Sequence, residues 1–287
     1  MRRQGKDRRQ MNTAIIGLGL IGGSLARTIK VHRKDTVYGA DLNQDTIRQA
    51  LFMQAIDGEL DDEKLKTCDM ILVALYPEDI ITWITGHRHL FREDALVIDC
   101  GGVKRRIVDA VMPLAEGQAW HYIGGHPMAG REFSGFKYAK DDLFDRASMI
   151  LTPREGEDLF LLQRAREYFL SLGFRRVQFT TPDKHDEMIA FTSQLAHVVS
   201  SAYVKCPLAQ AHRGFSAGSF ADMTRVAKLS EDMWTELFFD NREKLLDEVD
   251  GLIDRLVQYR DALRDEDRES MRSLLREGRE IKESLEE

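Results

Sequence analysis

Two short motifs hold the residue types from which chemistry could be built. The first is Gly17-x-Gly19-x-x-Gly22, with Asp41 following 22 residues after Gly19. In a strand-to-helix turn the first glycine makes the bend and the second lets backbone approach a pyrophosphate. The third lets helix pack closely on strand, while the helix start offers free N–H groups and partial positive charge. Leu20 and Ile21, which open that helix, belong to the same candidate cradle. A carboxylate at the end of the next strand can bind a ribose 2′-hydroxyl and repels a 2′-phosphate, so the expected cofactor is NAD rather than NADP. Without a ligand, the same residues read as a glycine-rich turn and an aspartate capping the following helix.

The second motif is Gly124-Gly125-His126-Pro127-Met128-Ala129-Gly130-Arg131-Glu132. Pro127 holds the residue before it extended, which gives the imidazole of His126 a fixed direction, and the flanking glycines are expected to leave backbone open to a ligand. At the carboxyl edge of a parallel sheet, beside a nicotinamide site, such a histidine is a candidate base for an alcohol proton released as hydride departs. A histidine on its own is more often a satisfied structural residue.

These motifs need a sheet to carry them. Residues 12–180 alternate short apolar runs with amphipathic stretches, and strands are expected at 13–19, 36–41, 69–75, 95–101, 121–126, 148–153 and 175–181. Continuous apolar strands such as 70–75 require cover on both faces, and the segments between them are long enough for helical crossovers. The expected fold class is therefore α/β, a doubly wound, mostly parallel Rossmann-type sheet. Strand signals stop after Pro182. Residues 183–206 are apolar around most of a helical circumference, and 242–263 carry a leucine-rich stripe at helical spacing. The expected domains are a lead-in at 1–10 without order, a dinucleotide-binding domain at 11–181, and an all-helical substrate and dimerisation domain at 182–287. A central helix with so little polar surface predicts that two copies pack together as a homodimer. The last helix, heavily charged, reads as a solvated face.

Composition narrows the class further. The 287 residues suit two domains, each large enough for its own core. A net charge of −7 gives no general field for nucleic acid. Cys68, Cys100 and Cys206 are odd in number and form no CxxC pair, which argues against a disulfide framework or thiolate metal site and for a cytoplasmic protein. No metal is expected. The basic start followed by residues 14–26 imitates a secretory signal, but four glycines in that run argue against one. No run approaches the length of a membrane span.

The runs GLGLIGGS (17–24), IGGHPMAGREFSG (123–135), SQLAH (193–197) and ADMTRVA (221–227) followed by Trp234 together resemble the prephenate dehydrogenase family of tyrosine biosynthesis, including its arogenate-using relatives. The resemblance extends from Met11 to about residue 260. It implies NAD-dependent oxidative decarboxylation: hydride leaves ring C4 of prephenate, carbon dioxide leaves C1, and the ring becomes aromatic as 4-hydroxyphenylpyruvate. By similarity His126 draws the proton of the 4-hydroxyl, and Arg225 grips the ring carboxylate, for which a planar guanidinium offers bidentate geometry. Asp222, one helical turn earlier, is placed to orient Arg225. The resemblance puts His197 near the substrate side chain, makes Glu132 and His185 a pair bridging the two domains, and has Trp234 reach the partner subunit's site.

Two positions depart from the family pattern. Gly102 stands where many members have a serine near the histidine and the 4-hydroxyl, and Gln194 replaces the first histidine of a His-x-x-His pair, so prephenate and arogenate both stay open as substrates. A 3-hydroxyacid dehydrogenase or imine reductase is disfavoured because the first helix of the second domain offers His185, Gln194 and His197 as its candidate polar groups. A non-catalytic NAD sensor is disfavoured by the presence of both His126 and Arg225.

Overall fold

The computed structural model describes residues 10–130 and 133–286; the expected lead-in at 1–10, apart from Gln10, and the candidate Glu132 lie outside the described residues. The chain runs β1 (Asn12–Ile16), α1 (Leu20–His32), β2 (Thr36–Ala40), α2 (Gln44–Phe52), β3 (Gly58–Glu59), α3 (Asp62–Leu65), β4 (Met70–Val73), α4 (Pro77–His87), β5 (Leu96–Asp99), α5 (Arg105–Ala115), β6 (His121–Pro127), β7 (Ser148–Thr152), α6 (Leu159–Ser171) and β8 (Arg176–Phe179). All eight strands form one sheet in the order β3-β2-β1-β4-β5-β6-β7-β8. Every neighbouring pair is parallel except β6 and β7, which pair antiparallel with His126 opposite Ile150. Among the described residues between β6 and β7 there is a 3₁₀ turn at Phe136–Tyr138 and no crossover helix of the kind a parallel connection needs. The seven expected strands are present; β3, two residues with no apolar run, was not anticipated.

Alternation along each strand builds a core on both sheet faces. Ile15, Met70 and Leu72 pack with Leu25, Ile29 and Phe169 on one side. Ile16, Ile71 and Val73 pack with Ile80, Ile107 and Trp120 on the other. The two halves of the sheet diverge between β1 and β4, the switch point at which open α/β sheets bind ligands.

Beyond the sheet the chain is helical: α7 (Pro182–Ile189), a π-helical stretch (Ala190–Leu195), α8 (Ala196–Val204), α9 (Gly218–Thr224), α10 (Glu231–Asp240), α11 (Arg242–Arg264) and α12 (Arg268–Ser284). The Thr181 side chain caps α7 by accepting from Lys184 N–H, and Pro182 sits at the helix start, where its missing N–H costs nothing. The expected burial of the 183–206 helix is only half met within one chain. Ile189, Gln194 and Leu195 are buried, whereas Met188, Phe191 and Tyr203 are exposed. Basic residues of α5 join the two parts: Arg106 pairs with Glu78 of α4 and Asp240 of α10, and Arg105 with Glu243 of α11 at 2.9 Å. No helix among the described residues is long and apolar enough to cross a membrane.

Candidate active site

The glycine motif has the geometry that its chemistry requires. Gly17 adopts φ +82°, and a Cβ there would lie 2.5 Å from the Ala74 carbonyl oxygen at the end of β4. A Cβ on Gly22 would meet the Gly17 oxygen at 1.8 Å, so only glycine lets α1 start this close to the turn. A Cβ on Gly19, by contrast, would find nothing within 4 Å, so the middle glycine faces open space. Helix α1 has no side-chain cap, which leaves its first N–H groups to a ligand. Asp41 follows β2 and accepts from Leu18 N–H at 2.8 Å and Asn43 N–H at 2.9 Å, which ties it to the same turn. An open cradle, an uncapped helix start and an adjacent carboxylate fit a dinucleotide.

His126 lies at the carboxyl end of β6 and is partly buried. The glycines before it serve a different purpose from the one expected. A Cβ on Gly124 would meet Thr152 Oγ1 at 2.4 Å, and one on Gly125 would meet the Asp99 carbonyl oxygen at 2.5 Å. They allow neighbouring strands to close on β6 instead of opening backbone to a ligand. Beneath them Asp99, fully buried at the end of β5, pairs with the equally buried Lys104. Its carboxylate also accepts from Tyr122 Oη at 2.8 Å, Gly101 N–H at 2.9 Å and Gly125 N–H at 3.2 Å. Burial and the Asp99 charge push the Tyr122 phenol well above its ordinary value, so it remains a donor. Thus the residue before His126 is anchored to a paired buried carboxylate.

A second chain of contacts begins at the imidazole. His126 Nδ1 lies 2.9 Å from His185 Nε2, and His185 Nδ1 lies 2.7 Å from Asp186 Oδ1. Burial first, then the nearby His185 and the Lys104 cation, holds His126 well below the usual histidine range near 6.5. Burial likewise lowers His185, against the opposing pull of Asp186. Both rings are therefore neutral near pH 7, as a base and its orienting partner must be.

Gln194 is buried, and its amide is used by protein: Nε2 donates to the Leu237 carbonyl, and Oε1 accepts from Asn241 Nδ2, each at 2.8 Å. It thus ties the π-helical stretch to the α10–α11 corner. Gly102 borders the same corner. A Cβ there would stand 3.3 Å from Leu237 Cδ2, so α10 approaches closely where many relatives are expected to carry a serine.

His197, Arg225 and Trp234 make a separate cluster. The rings of His197 and Trp234 lie 3.9 Å apart, and His197 Nδ1 lies 3.1 Å from the Val226 carbonyl oxygen. The pKa of His197 is lowered chiefly by burial and also by the Arg225 charge, against the hydrogen bond to the Val226 carbonyl. Within one chain Trp234 therefore packs on His197, where the resemblance implied a reach toward a partner. Asp222 is exposed on α9, and Arg225 is exposed just past that helix's end. Sequence reasoning missed Asp99, Lys104, Tyr122, Asp186 and Asn241. The available signals were an aspartate at a strand's carboxyl end and an aspartate beside His185.

Comparison with known proteins agrees with this architecture. Residues 25–178 match the profile described as prephenate dehydrogenase, nucleotide-binding domain, and residues 181–277 match prephenate dehydrogenase, dimerization domain. A prephenate dehydrogenase of Bacillus subtilis is 29% identical over 96% of this chain and 77% of its own length. The structure of an Aquifex aeolicus prephenate dehydrogenase in complex with hydroxyphenyl propionate and NAD+ superposes with a TM-score of 0.83 at 27% identity, covering 98% of this chain and all of that one. A Synechocystis arogenate dehydrogenase structure is similar with a TM-score of 0.82 at 25% identity, over 96% of this chain and 100% of the other.

Proposed function

The chain belongs to the prephenate dehydrogenase family, and from that premise we propose that it catalyses NAD-dependent oxidative decarboxylation of prephenate to 4-hydroxyphenylpyruvate and carbon dioxide. NAD, when bound, supplies the hydride acceptor. Gly19 and the start of α1, with the N–H groups around Leu20 and Ile21, would hold its pyrophosphate, and Asp41 would receive a ribose hydroxyl. His126 accepts a hydrogen bond from the 4-hydroxyl and takes its proton as hydride leaves C4. The electron pair released from the carboxylate bond completes the aromatic ring, so the protein's tasks are to position the ring and handle one proton. Arg225, beside His197 and Trp234, holds the ring carboxylate, and Glu132 shapes access between the two parts. The enzyme acts as a homodimer, with its second domain as the contact.

The observation that carries this reading is a partly exposed His126 at the sheet edge used by the dinucleotide motif, with its Nδ1 held 2.9 Å from His185 Nε2. The test follows NADH absorbance with prephenate, arogenate and a 3-hydroxyacid offered in parallel. Turnover of prephenate is expected, and turnover of the 3-hydroxyacid alone would overturn the reading. Preference for arogenate would reassign the substrate and leave the chemistry intact. His126→Asn should lower kcat by roughly 10²- to 10⁴-fold with little change in NAD affinity.

A further inference from the structure

The contact between His126 and His185 has a direction. Ionised Asp186 can only accept, so His185 Nδ1 must carry the proton that bridges them at 2.7 Å. A neutral His185 then has its lone pair at Nε2, and the proton in the 2.9 Å contact must come from His126 Nδ1. That leaves the lone pair of His126 on Nε2, the nitrogen that makes no contact with His185. A protonated His185 would donate at both nitrogens, reverse the second hydrogen bond, and put the proton of neutral His126 on Nε2, where it could not act as a base.

Asp186 is itself over-determined. Its Oδ1 accepts from Lys104 N–H at 2.7 Å and its Oδ2 from Arg105 N–H at 2.8 Å. Helix α5 has no cap from its own N-terminal residue, so a carboxylate from α7 performs that role across the junction. Asn241 Nδ2 holds the Asp186 carbonyl at 2.8 Å, which ties the same residue to the α10–α11 corner. Both carboxylate oxygens of Asp186 thus accept from backbone N–H groups at the start of α5, and Oδ1 also faces His185 Nδ1.

We propose that Asp186 is a positioning residue for the reaction: acting through His185, it sets the tautomer of His126 so that Nε2 is the proton acceptor. The inference rests on His126 being the base and adds the residue that makes it one. When Nε2 takes the substrate's proton, the histidine pair gains one positive charge, and Asp186 is the anion at the far end of the pair.

The experiment combines steady-state kinetics with ¹⁵N spectra of the histidine side chains in the full-length NAD complex. In the wild-type protein His126 should show a protonated Nδ1 and an unprotonated Nε2. Asp186→Asn should lower kcat by about 10²- to 10⁴-fold, the range found when a histidine's orienting carboxylate or the base itself is lost, with NAD affinity retained. Its spectrum should show the proton moved to Nε2. Because Asp186→Asn also weakens the α5 cap, His185→Gln and His185→Leu form a second arm that leaves the cap in place. An amide oxygen can accept from His126 Nδ1 and should preserve much of kcat, whereas leucine should lose it, with both variants equally folded. Wild-type kcat and an unchanged His126 spectrum in Asp186→Asn, with His126→Asn inactive, would overturn the positioning role and leave the base assignment standing. Full activity in His126→Asn would instead remove the base reading.

Discussion

At the scale of single residues, protonation states separate a working base from a bystander. Desolvation, His185 and the Lys104 cation all lower His126, so its neutral form persists below the ordinary histidine pKa and is lost only as pH falls through the lowered value. The expected result is a plot of kcat/KM against pH that stays flat through 6.5 and declines only on more acidic ground. An acid limb centred at 6.5 or above would show that His126 is not the group being titrated. Arg225 is a different case, since the cation proposed to hold the ring carboxylate would pair with a charge that is full in the bound substrate and fades as carbon dioxide leaves. Arg225→Ala should therefore mainly raise KM for substrate, by an amount equivalent to a charged hydrogen bond of about 1.5–3 kcal/mol, and initial-rate kinetics at saturating NAD check this. An unchanged KM would place the carboxylate elsewhere.

At the scale of elements, one short region organises the site: the end of β5, the turn through Gly101 and Gly102, and the start of α5. Asp99 ends the strand, Lys104 returns to pair with it, and Tyr122 and Gly125 of β6 hang from the same carboxylate. Both charges are fully buried, so neither can be removed without stranding the other. Lys104→Met should cost about 3–5 kcal/mol of stability, the usual penalty for leaving one buried charge unpaired, read as a lower denaturation midpoint in urea. The double variant with Asp99→Leu should recover part of that loss. If Lys104→Met were as stable as wild type, the pair would not anchor the His126 segment. Across this turn Arg105 and Arg106 reach the helical part, and Asp186 reaches back to cap α5, so sheet and helices meet where His126 is held.

At the scale of the whole molecule, the helical part shows apolar surface that a solitary chain would not keep. Ile253 and Leu256 of α11 are about half exposed, as are Phe191 and Tyr203, while Phe239 and Leu263 are more so. Burying each such side chain contributes about 1.5–3 kcal/mol, and in a two-fold dimer every contribution counts twice. Replacing Ile253 and Leu256 together by glutamate should convert a dimer to monomers in sedimentation, with helix content by circular dichroism preserved. A dimer that survives both charges would put the contact on another face. If the monomer also loses kcat, the partner subunit is needed for the site and not for stability alone.

Local patterns determined a good part of this protein from the sequence alone. Gly17, Gly19 and Gly22 between a strand and a helix, apolar strands at regular intervals, and a helical second half were legible because each depends on neighbours in the chain. His126 was legible through its motif, though the purpose of Gly124 and Gly125 was misread, since only the crossing strands reveal what fills the space beside them. The antiparallel turn of β7 had no local signature. The tertiary structure alone decided that Gln194 faces protein and that Leu237 closes on Gly102. It also brought Asp186, 60 residues downstream of His126, into the hydrogen-bonded chain that directs the imidazole. A hydrogen bond acts over about 3 Å whatever the sequence separation, so its partners become visible only when the chain has folded.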